Sequence, residues 1–146
     1  MEKESTKILI VEDDLLTAKL NKKLLSPFGE IIMARNMAEA HAYINTEGID
    51  LAFFDLNLQG ELGGLKLIKL ANLVGIYPIV LSGETKNEVL EEAFLNGAKD
   101  YLNKPFNDKK LRSVISRFDN HRRDIEFENL INENFITKSH SLTQEL

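Results

Sequence analysis

The stretch Lys7-Ile8-Leu9-Ile10-Val11-Glu12-Asp13-Asp14 decides the fold. Four apolar residues run without a polar break and then meet three carboxylates in a row. A strand with one wet face would alternate, and an unbroken apolar run is the mark of a strand covered on both sides. The same pattern returns along the chain. Glu30 to Ala34 reads as a second strand, and Ile49 to Phe54 as a third that stops at Asp55. Tyr77-Pro78-Ile79-Val80-Leu81 reads as a fourth that stops at Ser82, and Lys99 to Asn103 as a short fifth ahead of Lys104-Pro105-Phe106.

Helical patterns fill the gaps. Between Leu15 and Leu25 the residues Leu16, Leu20 and Leu24, with Leu25, recur at helical spacing and predict the core stripe of a first helix. Ser26-Pro27-Phe28-Gly29 ends it, because proline lacks the amide and glycine tolerates the turn. Asn36 is placed to cap a helix from Met37 to about Asn45. The segment Leu58-Gln59-Gly60-Glu61-Leu62-Gly63-Gly64 reads as a mobile loop, followed by a helix from Leu65 to Leu73 with Leu65, Ile68 and Leu73 as core. Lys86 to Leu95 carries Val89, Leu90, Ala93 and Phe94 as a core stripe, and Asn96-Gly97 closes it. A last helix places Leu111, Val114, Ile115 and Phe118 on one face.

Strand and helix thus alternate five times in about 118 residues, which predicts an α/β fold with a parallel sheet. The chain has 146 residues, far short of the ~250 of an eight-fold barrel. The expectation is a doubly wound (βα)5 sandwich whose five parallel strands take the flavodoxin-like order 2-1-3-4-5. Residues 6–119 form that domain. Residues 120–146 read as a C-terminal extension: a charged opening, a short amphipathic helix with Ile125, Phe127, Leu130 and Ile131, then a polar linker or frayed end from Thr137 to Leu146.

Composition removes several function classes. The net charge of −5 argues against a general binder of nucleic acid or anionic membrane. The absence of cysteine excludes disulfide scaffolds, thiol catalysis and cysteine-ligated metals. No apolar run approaches the ~20 residues of a membrane helix, and Met1-Glu2-Lys3-Glu4 lacks the apolar core of a secretory signal, so a cytoplasmic location is expected. His41, His121 and His140 are scattered without metal spacing.

In the order 2-1-3-4-5, strands one, three, four and five are contiguous, and ligands bind at their carboxyl ends. Those ends carry Glu12-Asp13, Asp55, Ser82 and Lys104. Three carboxylates, a hydroxyl and an ammonium would share one small pocket. Clustered carboxylates raise each other's pKa unless a cation neutralises them. Hard oxygen donors of this kind suit Mg²⁺, which keeps several waters and shares its shell with a phosphate. A carboxylate beside the metal can attack a phosphoryl group, and the lysine and hydroxyl can then stabilise the phosphoryl oxygens.

Taken singly, each residue has a plainer reading. Acids favour the first turn of a helix, so Glu12-Asp13-Asp14 could simply begin one. Ser82 and Lys104 alone read as turn residues, and Tyr101 as a half-buried strand aromatic. Asp55 is different, because it ends a wholly apolar strand with no nearby helix to cap.

Together, Ile8-Leu9-Ile10-Val11-Glu12-Asp13-Asp14, Asp55 with Gly63 eight residues on, Ser82-Gly83 and Lys104-Pro105-Phe106 resemble the receiver domain of two-component response regulators, over residues 6 to about 119. The resemblance implies that Asp55 is the phosphoacceptor and that a sensor histidine kinase or phosphotransfer protein is the donor. It implies that Mg²⁺ is held by Asp13 directly, by Glu12 through water, by Asp55, and by the backbone carbonyl of Asn57. Ser82 and Lys104 would hold the phosphoryl oxygens, and the Lys104–Pro105 peptide would be cis. The Tyr101 ring would turn inward as Ser82 moves toward the phosphate. Asn57 and Glu84 stand where phosphate lifetime is tuned. The chain would be a switch with only self-phosphorylation and self-dephosphorylation chemistry, and a homodimer through the fourth helix, fifth strand and fifth helix is implied as an option. The proline that often follows the phosphoacceptor by four residues is Gln59 here, and the threonine is Ser82. Neither departure removes a reactive group.

Two rivals use the same residues. A haloacid-dehalogenase-like phosphatase needs a second Asp two residues after the nucleophile, where this chain has Asn57, and its acidic pair follows the lysine. A non-phosphorylated interaction module would have no use for the complete reactive set. No output motif follows residue 119, so output belongs to a partner or to an output domain beyond a linker, and the extension suits the latter.

Overall fold

In the computed structural model, residues 5–56, 61–83 and 86–145 are described. Five parallel strands, β1 (Lys7–Val11), β2 (Glu30–Ala34), β3 (Leu51–Asp55), β4 (Tyr77–Ser82) and β5 (Asp100–Asn103), lie in the order β2-β1-β3-β4-β5. The helices are α1 (Leu15–Leu25), α2 (Met37–Thr46), α3 (Glu61–Leu73), α4 (Asn87–Leu95) and α5 (Asp108–Glu145), with a 3-10 turn over Ser26–Phe28. This is the doubly wound arrangement expected. By compactness the chain divides into residues 1–114 and 115–146.

The unbroken apolar strands are buried on both faces. On one face Leu9, Val11, Ala52, Phe54 and Val80 pack with Ala40 and Ile44 of α2, Ile68 and Ala71 of α3, and Ala93 of α4. On the other, Ile8, Ile10, Phe53, Ile79 and Leu81 are fully buried as well. Asn36 caps α2 as anticipated, its Oδ1 accepting from the Glu39 amide at 2.9 Å.

Four expectations change. Leu16 and Leu20 are exposed, Leu16 at 77%, while Ala18, Asn21 and Leu25 are the buried positions of α1. The face that packs on β1 and β2 is therefore turned away from the leucine stripe, and periodicity alone does not say which stripe meets the sheet. Leu73 and Phe94, read as core, are likewise exposed at the surface. Gly63 and Gly64 belong to α3 and not to a loop, and a Cβ on Gly64 would come within 3.3 Å of the Leu56 Cα, so glycine there lets the helix lie close against the end of β3. Finally, α5 runs to Glu145 where a short helix and a polar linker were expected. No glycine or proline follows Pro105, so nothing in that stretch breaks a helix. Within residues 115–146, Arg122 reaches Asp119 at 3.0 Å and lies 5.0 Å over the Phe118 ring, while Ile125, Phe127, Leu130, Ile131 and Phe135 are exposed. Among the described residues no helix is long and apolar enough to cross a membrane.

Candidate functional site

Strand register brings the reactive residues together. Val11 pairs with Phe54, so the next residues, Glu12 and Asp55, stand side by side past the strand ends. Asp55 pairs with Leu81, and Ser82 follows one step on. Ser82 pairs with Asn103, and the Lys104 amide donates to the Ser82 carbonyl at 2.6 Å. The Lys104–Pro105 peptide is cis.

The centre is a three-residue charge cluster. Lys104 Nζ donates to Asp55 Oδ2 at 2.7 Å and to Glu12 Oε2 at 3.2 Å. Glu12, Asp55 and Ser82 are buried, whereas Lys104 is partly exposed and Asp13 exposed. Burial, reinforced by the hydrogen bond and charge of Asp55, pushes the Glu12 carboxyl up to about 7 against the opposing pull of Lys104. Burial works against the Lys104 ammonium, yet its hydrogen bond to Asp55 and the two carboxylate charges outweigh this and raise its pKa. One cation therefore serves two buried carboxyls, and it does not fully neutralise them.

That shortfall is the fit test for a metal. Among the described residues no group of three or more acidic or imidazole side chains is gathered closely enough to hold an ion unaided. Two buried hard-oxygen donors, short of one positive charge, suit an ion that completes its shell with water and phosphoryl oxygens, and Mg²⁺ is such an ion. Asn57 and Glu84 lie outside the described residues.

The plain reading of the acidic run is true of one member. Asp14 caps α1, accepting from the Thr17 hydroxyl at 2.5 Å and from the Thr17 amide at 2.9 Å, and these bonds hold its carboxyl below the usual range. Its own amide reaches Glu12 Oε1 at 3.3 Å, so the cap also steadies the cluster. Tyr101 lies on β5 with its ring at the surface, 44% exposed, and Phe94 of α4 meets it edge-on. The helical stripe of α4 placed Phe94 in the core, so sequence periodicity concealed this pairing.

Comparison with known proteins agrees with this fold. The model of the response regulator receiver domain matches residues 8–116. The transcriptional regulatory protein KdpE of Staphylococcus aureus is 33% identical over 111 residues, covering 75% of this chain and 48% of that protein. The aerobic respiration control protein ArcA of Escherichia coli is 35% identical over 116 residues, again covering 75% and 48%. A CheY-like response regulator receiver domain protein from Methanospirillum hungatei superposes with a TM-score of 0.74 at 28% identity, covering 82% of this chain and 98% of that one. NtrX from Brucella abortus gives 0.77 at 28% identity, covering 88% and 30%. The chain belongs to the response regulator receiver domain family of two-component systems. It spans about half the length of the curated relatives it matches.

Proposed function

We propose that the chain is a phosphoacceptor switch and that Asp55 is the residue phosphorylated. The observation that carries this reading is the placement of Asp55, buried at a strand end, with its Oδ2 2.7 Å from the Lys104 ammonium. A phosphohistidine of a sensor kinase or phosphotransfer protein is the donor. An Asp55 carboxylate oxygen attacks phosphorus, the P–N bond breaks, and the imidazole leaves with its electron pair and takes up a proton. Lys104 then turns from the carboxylate to a phosphoryl oxygen, and the Ser82 hydroxyl donates to another. Glu12, Asp13, Asp55 and the Asn57 carbonyl would hold Mg²⁺, whose chemistry there is to neutralise charge on the phosphoryl oxygens. The phosphoryl group acts as a ligand that draws Ser82 inward and shifts a two-state equilibrium in which Tyr101 follows. Asn57 and Glu84 set how long the phosphoryl group lasts.

We read residues 6–119 as the switch, acting in the cytoplasm, and 120–146 as an extension toward an output function, supplied by an output domain or by a partner. A homodimer through α4, β5 and α5 is one form of that output. The switch has no enzymatic role beyond its own phosphorylation and dephosphorylation.

The test is exposure of wild type and Asp55→Asn to acetyl phosphate or beryllofluoride with Mg²⁺, followed by intact mass and amide spectra. A Mg²⁺-dependent adduct absent from the variant, with shifts at Ser82 and Tyr101, is expected. No adduct and no response to Mg²⁺ would overturn the reading and leave an interaction module.

A further inference from the structure

We infer that Phe94 is a positioning residue for the switch: its ring is the seat that holds Tyr101 in the outward position. The inference rests on the reading of Tyr101 as a moving part and adds a residue to it. Strand β5 alternates, with Asp100 and Leu102 buried and Tyr101 and Asn103 exposed. Tyr101 is thus not fixed by the core. Helix α4 buries Val89 and Ala93 and leaves the neighbouring Phe94 ring 42% exposed. The two rings meet edge-to-face, with centroids 6.3 Å apart and planes at 90°. That is a favoured aromatic geometry, set by the positive edge of one ring against the negative face of the other.

The seat is also rigid at the backbone. The Phe94 carbonyl accepts from the Gly97 amide at 3.1 Å, and the Ala93 carbonyl accepts from Ala98 at 3.0 Å. The Lys99 amide then donates to the Pro78 carbonyl at 2.8 Å, which ties the turn to the start of β4 and β5. Phe94 and Tyr101 are therefore held at the two ends of one short, fully bonded connection. A side chain at position 94 is presented to residue 101 by the fold and not by chance rotation. Inward movement of Tyr101 must break the edge contact, and edge-to-face pairs contribute enough to shift a two-state population by about two- to tenfold.

The experiment compares the wild-type chain with Phe94→Leu, Phe94→Tyr and Leu95→Ala, each labelled with fluorotyrosine, in the absence of Mg²⁺ and phosphoryl donor. Leu95 is the adjacent, highly exposed position and serves as the control. The Tyr101 fluorine signal, assigned with Tyr101→Phe, reports ring exposure through its solvent isotope shift, and amide spectra verify the fold. The ratio of inward to outward Tyr101 is expected to rise about two- to tenfold in Phe94→Leu, to return to the wild-type value in Phe94→Tyr, and to stay unchanged in Leu95→Ala. A folded Phe94→Leu protein with the wild-type Tyr101 signal would overturn the inference, as would an equal shift in Leu95→Ala. Since no donor is present, these results do not depend on whether Asp55 accepts a phosphoryl group.

Discussion

Lys104 Nζ lies 2.7 Å from Asp55 Oδ2, joining residues 49 positions apart at the ends of two strands that β4 separates. The contact exists only because the parallel register puts Asp55, Ser82 and Lys104 in successive steps along neighbouring strands. It leaves the ammonium next to the oxygen that would carry a phosphoryl group, so the cation needs no large movement to follow the charge.

Removing that ammonium exposes the cost of the two carboxyls. Lys104→Met leaves Asp55 and Glu12 buried without their cation and is expected to lower stability by about 1–3 kcal/mol in chelator, less than for a wholly buried pair because Lys104 is 26% exposed. A double-mutant cycle with Asp55→Asn, followed by urea unfolding, isolates the pair. A coupling above about 0.5 kcal/mol is expected. Strict additivity would mean that the lysine is near Asp55 without interacting with it.

The Glu12 carboxyl makes metal-free stability depend on pH in an unusual direction. Its pKa is about 7 in the folded chain against an ordinary 4.5. Between those values the folded state binds more protons than the unfolded state, so stability falls as pH rises. Wild type is expected to lose stability relative to Glu12→Gln between pH ~4 and pH ~8, by on the order of 3 kcal/mol at most, with the steepest loss midway between the two pKa values. Urea unfolding in chelator at four pH values measures it. Parallel pH profiles for the two proteins would show that burial does not trap the Glu12 proton.

The sheet and the strand-end residues were legible in the sequence because both rest on strong local signals. Three buried strands, β1, β3 and β4, are nearly unbroken apolar runs that end at Glu12, Asp55 and Ser82, and Lys104 follows the short β5 ahead of Pro105. Helix phase was not legible. Leu16, Leu20, Leu73 and Phe94 all sit at helical spacing, yet each faces solvent, because which side of a helix meets the sheet is decided by packing between distant elements. The run of α5 to Glu145 was not legible for another reason: polar composition resembles a linker, yet it does not end a helix that no glycine or proline breaks. The Phe94–Tyr101 pairing was hidden by the same error of phase.

Asn21 is the converse of the exposed leucines. It stands on the buried face of α1, 3% exposed, and its Nδ2 has no hydrogen-bond partner among the described residues. An unpaired buried donor costs about 1–3 kcal/mol, so an apolar side chain of similar size should be preferred. Asn21→Leu is expected to raise stability by about 1 kcal/mol, or the melting temperature by about 2–4 °C. Thermal unfolding by circular dichroism tests this, and a lower melting point would mean that the amide is satisfied in solution.

Two glycines separate backbone strain from crowding. Gly75 has φ +84° and open space where a Cβ would go. Gly97 has φ +115°, and a Cβ there would lie 2.5 Å from Asn72 Cγ and 2.6 Å from Asn72 Cβ, close to the side chain's root. Gly75→Ala carries only the left-handed penalty and is expected to cost about 1–2 kcal/mol. Gly97→Ala carries that penalty and must also push α3 away from the turn before β5, so a larger loss is expected, above about 2 kcal/mol. Because this turn presents Phe94 to Tyr101, the Gly97 variant should also disturb the Tyr101 fluorine signal, while the Gly75 variant leaves it in place. Equal losses from the two substitutions, measured by urea unfolding, would show that α3 yields freely at Asn72 and that the turn is not held from that side.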